Sequence, residues 1–313
     1  MIAYLARRIV QALIVVLGVT IIVFLLLHLL PGGPARAILG ERANKVAIAA
    51  FNREYGLDKP IPVQYWFWLD HLLHGDLGFS LALNQSVDSL LLIFLPRTAL
   101  LVGTATLLAI VIGAGLGVLQ AVRRNDPDDY VLTSLAFVFY AMPPFFLGLI
   151  LIIVFSVILG WLPPTGPSGS APFFSQFTNL VLPMATLALP FIAFFSRYMR
   201  SAMLENLIQD YVRTAHSKGV PSGRILFRHV FRNALLPLIT LVGFTIPWIV
   251  GGALIVEALF NYPGIGLLFW NACEQQDYPV MLGVTLIVGL ATVLGSLTAD
   301  ILYAVIDPRI RYT

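Results

Sequence analysis

The sequence contains little charge and almost no cysteine. Charged side chains make up 11% of its 313 residues, whereas an average soluble domain carries about 25%. Cys273 is the single cysteine, so the chain can form neither an internal disulfide nor a cysteine metal cluster. Because 58% of the residues are hydrophobic, the composition indicates a protein that crosses a membrane several times.

Motifs for catalysis and nucleotide binding are also missing from the sequence. Gly32 and Gly33 are not followed by the lysine and serine or threonine of a phosphate-binding loop, so we expect this chain neither to bind nor to hydrolyse ATP. His71 and His74 could share a helical face, but a metal site usually needs a third or fourth ligand. Cys273 lacks a matching histidine and acid, which disfavours a nucleophile. We therefore expect no catalytic residue, metal or cofactor in this chain.

Ionisable residues are scarce in the middle of the apolar segments. His28, Glu257 and Asp300 all lie near segment ends, and we expect Asp300 to pair with an arginine or a backbone group. A proton- or sodium-coupled carrier needs such groups near the membrane midplane. Their absence disfavours an ion-coupled carrier and indicates that any transport energy comes from outside the chain.

Six segments are apolar and long enough to cross a bilayer, which takes about 20 helical residues. They predict an all-α polytopic membrane protein, a single domain over 1–313. Five of the prolines inside these segments are candidates for packing kinks or for parts of a pathway, and the pair at the third segment predicts a kink. The predicted spans are 9–30, 98–122, 130–159, 180–195, 235–255 and 280–305, and the prolines are Pro143, Pro144, Pro183, Pro190 and Pro247.

The distribution of lysine and arginine predicts the orientation. The net charge is only +3, and the cationic residues, mostly arginine, lie mainly at the ends of apolar segments, which disfavours nucleic-acid binding. The loops 160–178 and 256–279 contain neither lysine nor arginine. By the positive-inside rule, both termini and the loop 201–234 are then cytoplasmic. Residues 31–96 form a small helical cap on the outer face.

The segment 204–237 is a polar, basic block between two apolar segments. Its first half predicts an amphipathic helix that Gly219 and Pro221 end. A second helix then restarts with a basic stripe. A helix lying on the membrane surface explains this pattern as well as a partner-binding helix does. The apolar face comprises Leu204, Leu207, Ile208, Tyr211 and Ala215, and the stripe comprises Arg224, Arg228 and Arg232.

Short motifs along nearly the whole chain carry a family resemblance. The sequence resembles the membrane-spanning permease subunits of ATP-binding-cassette importers for peptides, in particular the first permease subunit of dipeptide and oligopeptide systems. Many motifs in the same order make this signal specific. The motifs are Leu30-Pro31-Gly32, Tyr55-Gly56-Leu57-Asp58, Gln64-Tyr65, Gly75-Asp76-Leu77-Gly78 with Ser80, Leu95-Pro96, Pro143-Pro144-Phe145, Tyr211-Val212-Arg213-Thr214-Ala215, Lys218-Gly219, Arg232-Asn233-Ala234-Leu235-Leu236-Pro237, Pro263-Gly264-Ile265-Gly266, Asp277-Tyr278-Pro279 and Asp307-Pro308-Arg309.

The resemblance implies a type I importer fold with six transmembrane helices, in a bacterial inner membrane. It also implies that 204–219 is a coupling helix that docks on a cytoplasmic ATPase subunit, although arginine replaces the glutamate of the general Glu-Ala-Ala motif at position 213. The residues expected to couple to the ATPase are Asp210, Tyr211, Arg213, Thr214, Ala215, His216, Ser217, Lys218 and Gly219.

The implied partners are two ATPase subunits, which bind the ATP and Mg²⁺, a second homologous permease forming a heterodimer, an extracytoplasmic substrate-binding protein and membrane lipid. Trp66, Trp68, Tyr262 and Trp270 are candidate contacts for the binding protein, with anchoring at the membrane interface as the alternative reading. Import of nickel, glutathione or an oligosaccharide is the alternative to peptide import, and an ion-coupled carrier is the alternative from another class.

Overall fold

A computed structural model describes residues 2–29, 35–36, 39–40, 43–54, 56–80, 82–167 and 176–306. Almost all of this is helical, as apolar backbone in a membrane requires. The motifs at 30–32 and 307–309, Tyr55 and part of the loop 160–178 lie outside the described residues. The elements are α1 (Ile2–His28), α2 (Lys45–Glu54), α3 (Ile61–Leu73), β1 (Phe79–Ser80), β2 (Gln85–Ser86), α4 (Val87–Val122), α5 (Pro127–Ala141), α6 (Pro144–Leu151) with a π-helix (Ile152–Ile158), α7 (Thr178–Leu207), α8 (Asp210–Ser217), α9 (Ser222–Arg224) with a π-helix (Ile225–Val230), α10 (Phe231–Leu259), α11 (Ile265–Gln275) and α12 (Tyr278–Ile306).

The membrane-spanning helical fold is confirmed, but the count of six spans is not. Among the described residues, four helices are long and apolar enough to cross a membrane, in α1, α4, α7 and α12, and a fifth follows if α5 and α6 form one span. The predicted span 235–255 lies within α10. The side chains of 242–252 in this helix are outside the described residues.

The third predicted span is broken rather than kinked. The two helical segments, Pro127–Ala141 and Pro144–Ile158, meet at a bend of 111°. Pro143 has an extended backbone (φ −60°, ψ 139°) and Pro144 is the first residue of α6. A residue before proline is pushed out of the helical region, and proline itself donates no hydrogen bond, so two in a row stop one helix and start another. The sequence predicts a deviation at this position, but as a kink within one helix rather than as a break between two helices.

The other prolines do not interrupt their helices. Pro183 and Pro190 lie inside α7, which continues through both, and Pro183 is buried. Pro247 lies in α10 among the residues whose side chains are not described. A helix can tolerate proline where neighbouring helices compensate for the lost hydrogen bond. These positions are therefore parts of continuous helices, whereas the Pro143–Pro144 pair separates two helices.

The chain divides into two compact units, each with its own core. The first comprises Met1–Ala99 and Pro263–Leu294, and the second comprises Leu100–Tyr262 and Gly295–Thr313. The core of the first unit packs the start of α4 against α11 and the start of α12. In the second unit, α7 contacts α5, α6 and α10. Gly117 allows α4 to approach α7 closely, since a Cβ there would lie 2.5 Å from the Ser196 carbonyl oxygen.

Candidate functional site

The first half of the polar block, residues 204–219, is predicted as a single helix, but the structure divides it between the end of α7 and the separate helix α8, with a turn between them. α7 ends at Leu207, and Gln209 takes an extended backbone (φ −72°, ψ 151°) before α8 starts at Asp210. This break resets the helical phase, so spacings counted across it do not predict a common face. Ile208, predicted on the buried face, is 69% exposed, whereas Val212 is only 4% exposed.

α8 is attached to the end of α7 by its inner face. Val212 joins a buried cluster with Met203 and Ile225, against which Tyr211 and Ala215 are partly buried. The Tyr211 hydroxyl donates a hydrogen bond to the Asn206 Oδ1 atom over 2.8 Å. A short helix has little stability of its own, so this packing fixes its position. A displacement of α8 must therefore move the end of α7.

The outer face of α8 is polar and open. Asp210, Arg213, Thr214, His216, Ser217 and Lys218 are all exposed. The carboxylate of Asp210 lies 3.7 Å from the Arg213 guanidinium, but both side chains are largely in solvent, where such a pair contributes little stability. This face carries charged and hydroxyl groups that the second unit itself leaves available for another protein.

The C-terminus of α8 is closed by a Schellman motif. The Gly219 amide donates to the His216 carbonyl over 2.9 Å, and the Val220 amide donates to the Ala215 carbonyl over 3.1 Å. Gly219 has φ +73°, and nothing lies within 4 Å of where its Cβ would be. Glycine is favoured here because this conformation is strained for other residues, and no described atom of this chain crowds the position.

The basic residues after α8 follow a helix that is partly of π type. α9 runs into the π-helix Ile225–Val230 and then into α10. Arg224, Arg228 and Arg232 are all exposed, but a π-helix takes more residues per turn than an α-helix, so a spacing of four does not align them strictly. Arg228, His229, Arg232 and Asn233 together line one surface depression.

An ion pair that the sequence reading missed ties α5 to α7. The Arg200 guanidinium donates from Nε to Asp129 Oδ1 over 2.9 Å and from Nη2 to Asp129 Oδ2 over 2.7 Å. The Asn125 amide and the Thr133 hydroxyl also donate to this carboxylate. The Asp129 side chain is only 4% exposed. The acidic run after Arg124 signals a charged helix start, but the partner, 71 residues away, could not be read from the sequence.

In the first unit, two polar contacts involve three of the recognised motifs. The Ser80 hydroxyl donates to the buried Asp277 carboxylate, and the Ile265 amide donates to the Thr98 hydroxyl over 2.9 Å. The first contact joins the Gly-Asp-Leu-Gly segment, through Ser80, to the Asp-Tyr-Pro segment. The second joins the Pro-Gly-Ile-Gly segment to α4. Buried polar groups need such partners, which explains the serine and the aspartate in the first two motifs.

The four aromatic candidates fall into different environments. Trp66 and Trp270 are largely exposed, and their role remains a prediction. Trp68 packs near Phe24 and lines a cavity of ≈ 340 Å³ in the first unit. Tyr262 is 0% exposed in the core of the second unit, so in this structure it cannot offer its ring to a binding protein. In the sequence it lies in the turn-forming segment Asn261-Tyr262-Pro263-Gly264, which gives no sign of its burial.

Cys273 lies in α11 of the first unit and is exposed. Partial burial raises the pKa of its thiol, which favours the neutral form over the reactive thiolate at neutral pH.

Comparisons with known proteins give matches along the entire chain. The family described as "Binding-protein-dependent transport system inner membrane component" matches residues 109–312, and the corresponding N-terminal family matches residues 1–101. The chain is 42% identical over 316 residues to the oligopeptide transport system permease protein AppB of Bacillus subtilis (strain 168), covering 100% of both chains.

Two further similarities come from a second group of relatives and from a solved structure. The chain is 37% identical over 313 residues to the glutathione transport system permease protein GsiC of Salmonella typhimurium, again over 100% of both chains. A solved structure of the MetNI methionine ABC transporter in an inward-facing conformation matches with a TM-score of 0.53 at 19% identity, over 68% of this chain and 96% of that one. At that identity, the similarity shows the fold alone.

Proposed function

We infer that this chain, which belongs to the family of binding-protein-dependent transport system inner membrane components, is a permease subunit of an ATP-driven peptide importer. It is a multi-pass protein of the inner membrane. The observation that carries this conclusion is the full-length similarity to an oligopeptide permease. Membership of this family implies two kinds of partner, ATPase subunits and a substrate-binding protein.

The finer assembly is our proposal. Two ATPase subunits bind ATP and Mg²⁺, and this chain binds no nucleotide and catalyses no reaction. A second, homologous but different permease completes the pathway across the membrane. In support, the sequence carries no phosphate-binding loop.

α8 is the coupling helix in this proposal. It presents its exposed polar face, with Arg213, His216 and Lys218, to a cleft of an ATPase subunit. When ATP binding closes the ATPase pair, the displacement of α8 passes to the end of α7 through Tyr211, Asn206 and the buried Val212. Because packed interfaces switch between discrete arrangements rather than deform continuously, such a push shifts the transporter between inward- and outward-facing states.

The ion pair between Asp129 and Arg200 carries the movement one helix further. Arg200 lies seven residues before the end of α7, about two helical turns, and Asp129 lies in the first turn of α5. The Asp129 carboxylate is buried and the Arg200 side chain is partly exposed. This bidentate pair resists shear because separating its charges leaves the buried carboxylate without its partner. α5 therefore follows α7 when α8 moves.

This mechanism places α8 in the cytoplasm together with both termini. The distribution of lysine and arginine supports that orientation. The outer cap, with the exposed Trp66, and the connection 256–279, with the exposed Trp270, then face the binding protein. The second candidate substrate is glutathione, which is itself a short peptide-like acid, because the glutathione permeases are similar along the whole chain.

Reconstitution tests the proposal. The permease pair, ATPases and binding protein are placed in proteoliposomes with ATP inside, and uptake of alanine peptides and of glutathione is measured. We expect uptake that requires ATP and the binding protein. Uptake that ignores ATP and follows a proton gradient would show an ion-coupled carrier instead.

A further inference from the structure

The cavity of ≈ 340 Å³ in the first unit is lined by side chains of α1, α3 and α12. α1 and α12 approach each other closely at Gly289, where a Cβ would lie 2.8 Å from the Val19 Cγ1 atom. Nearer the outer ends of these two helices, α3 contacts α1, and the Tyr65 hydroxyl lies 2.9 Å from the Thr20 Oγ1 atom. The stretch of α12 from Pro279 to Gly289 is ten residues, about 15 Å. The cavity therefore lies in a cleft about as deep as one leaflet of the hydrocarbon core, which is about 30 Å thick.

Two of the cavity walls belong to membrane-spanning segments. Phe24 lies inside the apolar span Ile9–Leu26 of α1, and Leu286 lies inside the span Tyr278–Thr298 of α12. Only 17% of the α1 span is buried, against 44% in the span of α7, so this chain leaves most of the α1 surface uncovered. In the orientation proposed above, the cavity is at the depth of the outer leaflet.

The four polar side chains that line the cavity, besides the Trp68 indole, are paired within the chain. The Gln64 Nε2 atom donates to two backbone carbonyls over 3.0 Å and 2.6 Å, and the His28 Nε2 atom donates to Gln64 Oε1 over 2.8 Å. His71 donates to the Asp76 carboxylate over 3.1 Å. A peptide segment brings backbone amides and carbonyls that need partners when buried. Because the polar lining groups already have partners, the interior suits a hydrocarbon chain better than a peptide.

The cavity opens at the surface of the unit, and a lysine lies beside the opening. Phe67 and Phe79 line the cavity and are 40% and 45% exposed. The Lys59 Nζ atom lies 4.3 Å from the ring centroid of Phe67. Among the residues that the structure describes, no carboxylate lies within 4.0 Å of this ammonium group. An apolar interior with a cation at its edge matches a lipid, which has a hydrocarbon chain and an anionic phosphate.

The surrounding medium determines what fills such a space. An unfilled void forfeits dispersion contacts along its whole lining, and apolar cavities do not hold water. The volume falls in the range of about 300–1,000 Å³ that is usual for ligand pockets. We propose that one acyl chain of an outer-leaflet phospholipid occupies this cavity and that its phosphate pairs with Lys59. This site does not depend on which substrate the importer carries.

Photolabelling tests the occupant. The assembled importer is placed in proteoliposomes of phosphatidylethanolamine and phosphatidylglycerol, with a trace of phosphatidylglycerol that carries a diazirine near the end of one acyl chain. After illumination, the labelled residues are mapped by mass spectrometry. We expect label on the lining residues Trp68, Leu282 and Leu286.

Filling the cavity should exclude the chain. Leu282→Trp places a larger side chain in the cavity and should lower labelling of the lining residues by roughly tenfold or more, as loss of the buried apolar contact predicts. Leu286→Phe is a second, smaller filling variant. Ile22→Trp is the matched control, because Ile22 is 59% exposed on α1 and does not line the cavity; labelling of the lining residues should stay at the wild-type level.

The lysine is tested in the same assay at limiting probe. Lys59→Gln should lower labelling about fivefold, the usual contribution of one lysine to binding at an anionic lipid surface. Lys45→Gln, at an exposed lysine of α2 outside the cavity lining, should leave labelling unchanged. Equal effects of the two substitutions would overturn the assignment of the phosphate to Lys59.

Four results would overturn the acyl-chain site. These are label confined to exposed residues of α1 such as Ile22, lining label that persists in both filling variants, stronger labelling by photoreactive palmitate than by the phospholipid, and loss of label when the loaded binding protein is added. The third would assign the cavity to free fatty acid and the fourth to the binding protein. If neither filling variant assembles with its partners, the label map of the wild type decides alone, since label on Leu282 or Leu286 requires a chain inside the cavity.

Discussion

Replacement of Gly219 separates two explanations for glycine at the end of α8. Its φ of +73° is a left-handed conformation, and a Cβ would meet no atom of this chain within 4 Å. A residue with a Cβ costs about 1–2 kcal/mol in that conformation, asparagine least and β-branched residues most. The structure thus predicts that, at position 219, valine reduces activity most, alanine less and asparagine least. If glycine were instead needed to leave room for the ATPase, damage would follow side-chain size, and asparagine would be worse than alanine.

The assay is ATP hydrolysis by the reconstituted complex, stimulated by the loaded binding protein. A cost of about 1–2 kcal/mol changes the population of an intact α8 terminus by roughly 5- to 30-fold, so Gly219→Ala should lose a large part of the stimulation. Gly219→Asn should retain most of it, and Gly219→Val should retain least. Equal assembly of the variant complexes is verified by purification. A Gly219→Asn variant as damaged as, or more damaged than, Gly219→Ala would refute the backbone explanation.

Two further substitutions test how α8 and α7 transmit movement. Tyr211→Phe removes the hydrogen bond to Asn206, worth about 1 kcal/mol, and should reduce coupling of transport to ATP hydrolysis several-fold while the complex still assembles; unchanged coupling would exclude this contact from transmission. Asp129→Asn leaves the guanidinium of Arg200 without its carboxylate and should cost about 3–5 kcal/mol, seen as a lower Tm of the purified complex. Asp128→Asn, at an exposed ion pair, should change the Tm little. Equal effects of the two substitutions on the Tm would contradict the stabilising role assigned to the Asp129–Arg200 ion pair.

The sequence predicts the helical fold because apolar length and proline chemistry act locally. The proline pair at 143–144 marks the helix break because two consecutive prolines remove hydrogen-bond donors and exclude the preceding residue from the helix. Its angle of 111° depends on what each of the two helices packs against, which no local pattern contains. For the same reason, the sequence predicts that the spans are apolar helices more reliably than it predicts how many there are.

Around α8, sequence patterns predict the C-terminal end of the helix better than its start or its faces. Gly219 and Pro221 mark the C-terminus correctly because left-handed backbone and a missing donor are properties of single residues. The buried face was partly wrong because the turn at Ile208 and Gln209 shifts the helical phase. No glycine or proline marks that turn, so the apolar periodicity predicts a single helix that continues across it.

The polar contacts between distant segments were beyond the reach of the sequence. The carboxylate of Asp129 and the guanidinium of Arg200 are both visible as charges near predicted inner ends, but their pairing depends on how α5 packs on α7. Tyr262 shows the converse, since this tyrosine lies in a predicted surface connection and is fully buried. Such errors arise where tertiary packing decides the environment of a residue.

The central claim is that α8 lies in the cytoplasm against an ATPase subunit. His216→Cys in a Cys273→Ala background provides a single thiol on the exposed face of α8. Labelling with a membrane-impermeant maleimide should occur in inside-out vesicles and not in intact cells, and bound ATPase subunits should protect the thiol. Labelling from outside the cell, or labelling that the ATPase leaves unchanged, would contradict the account.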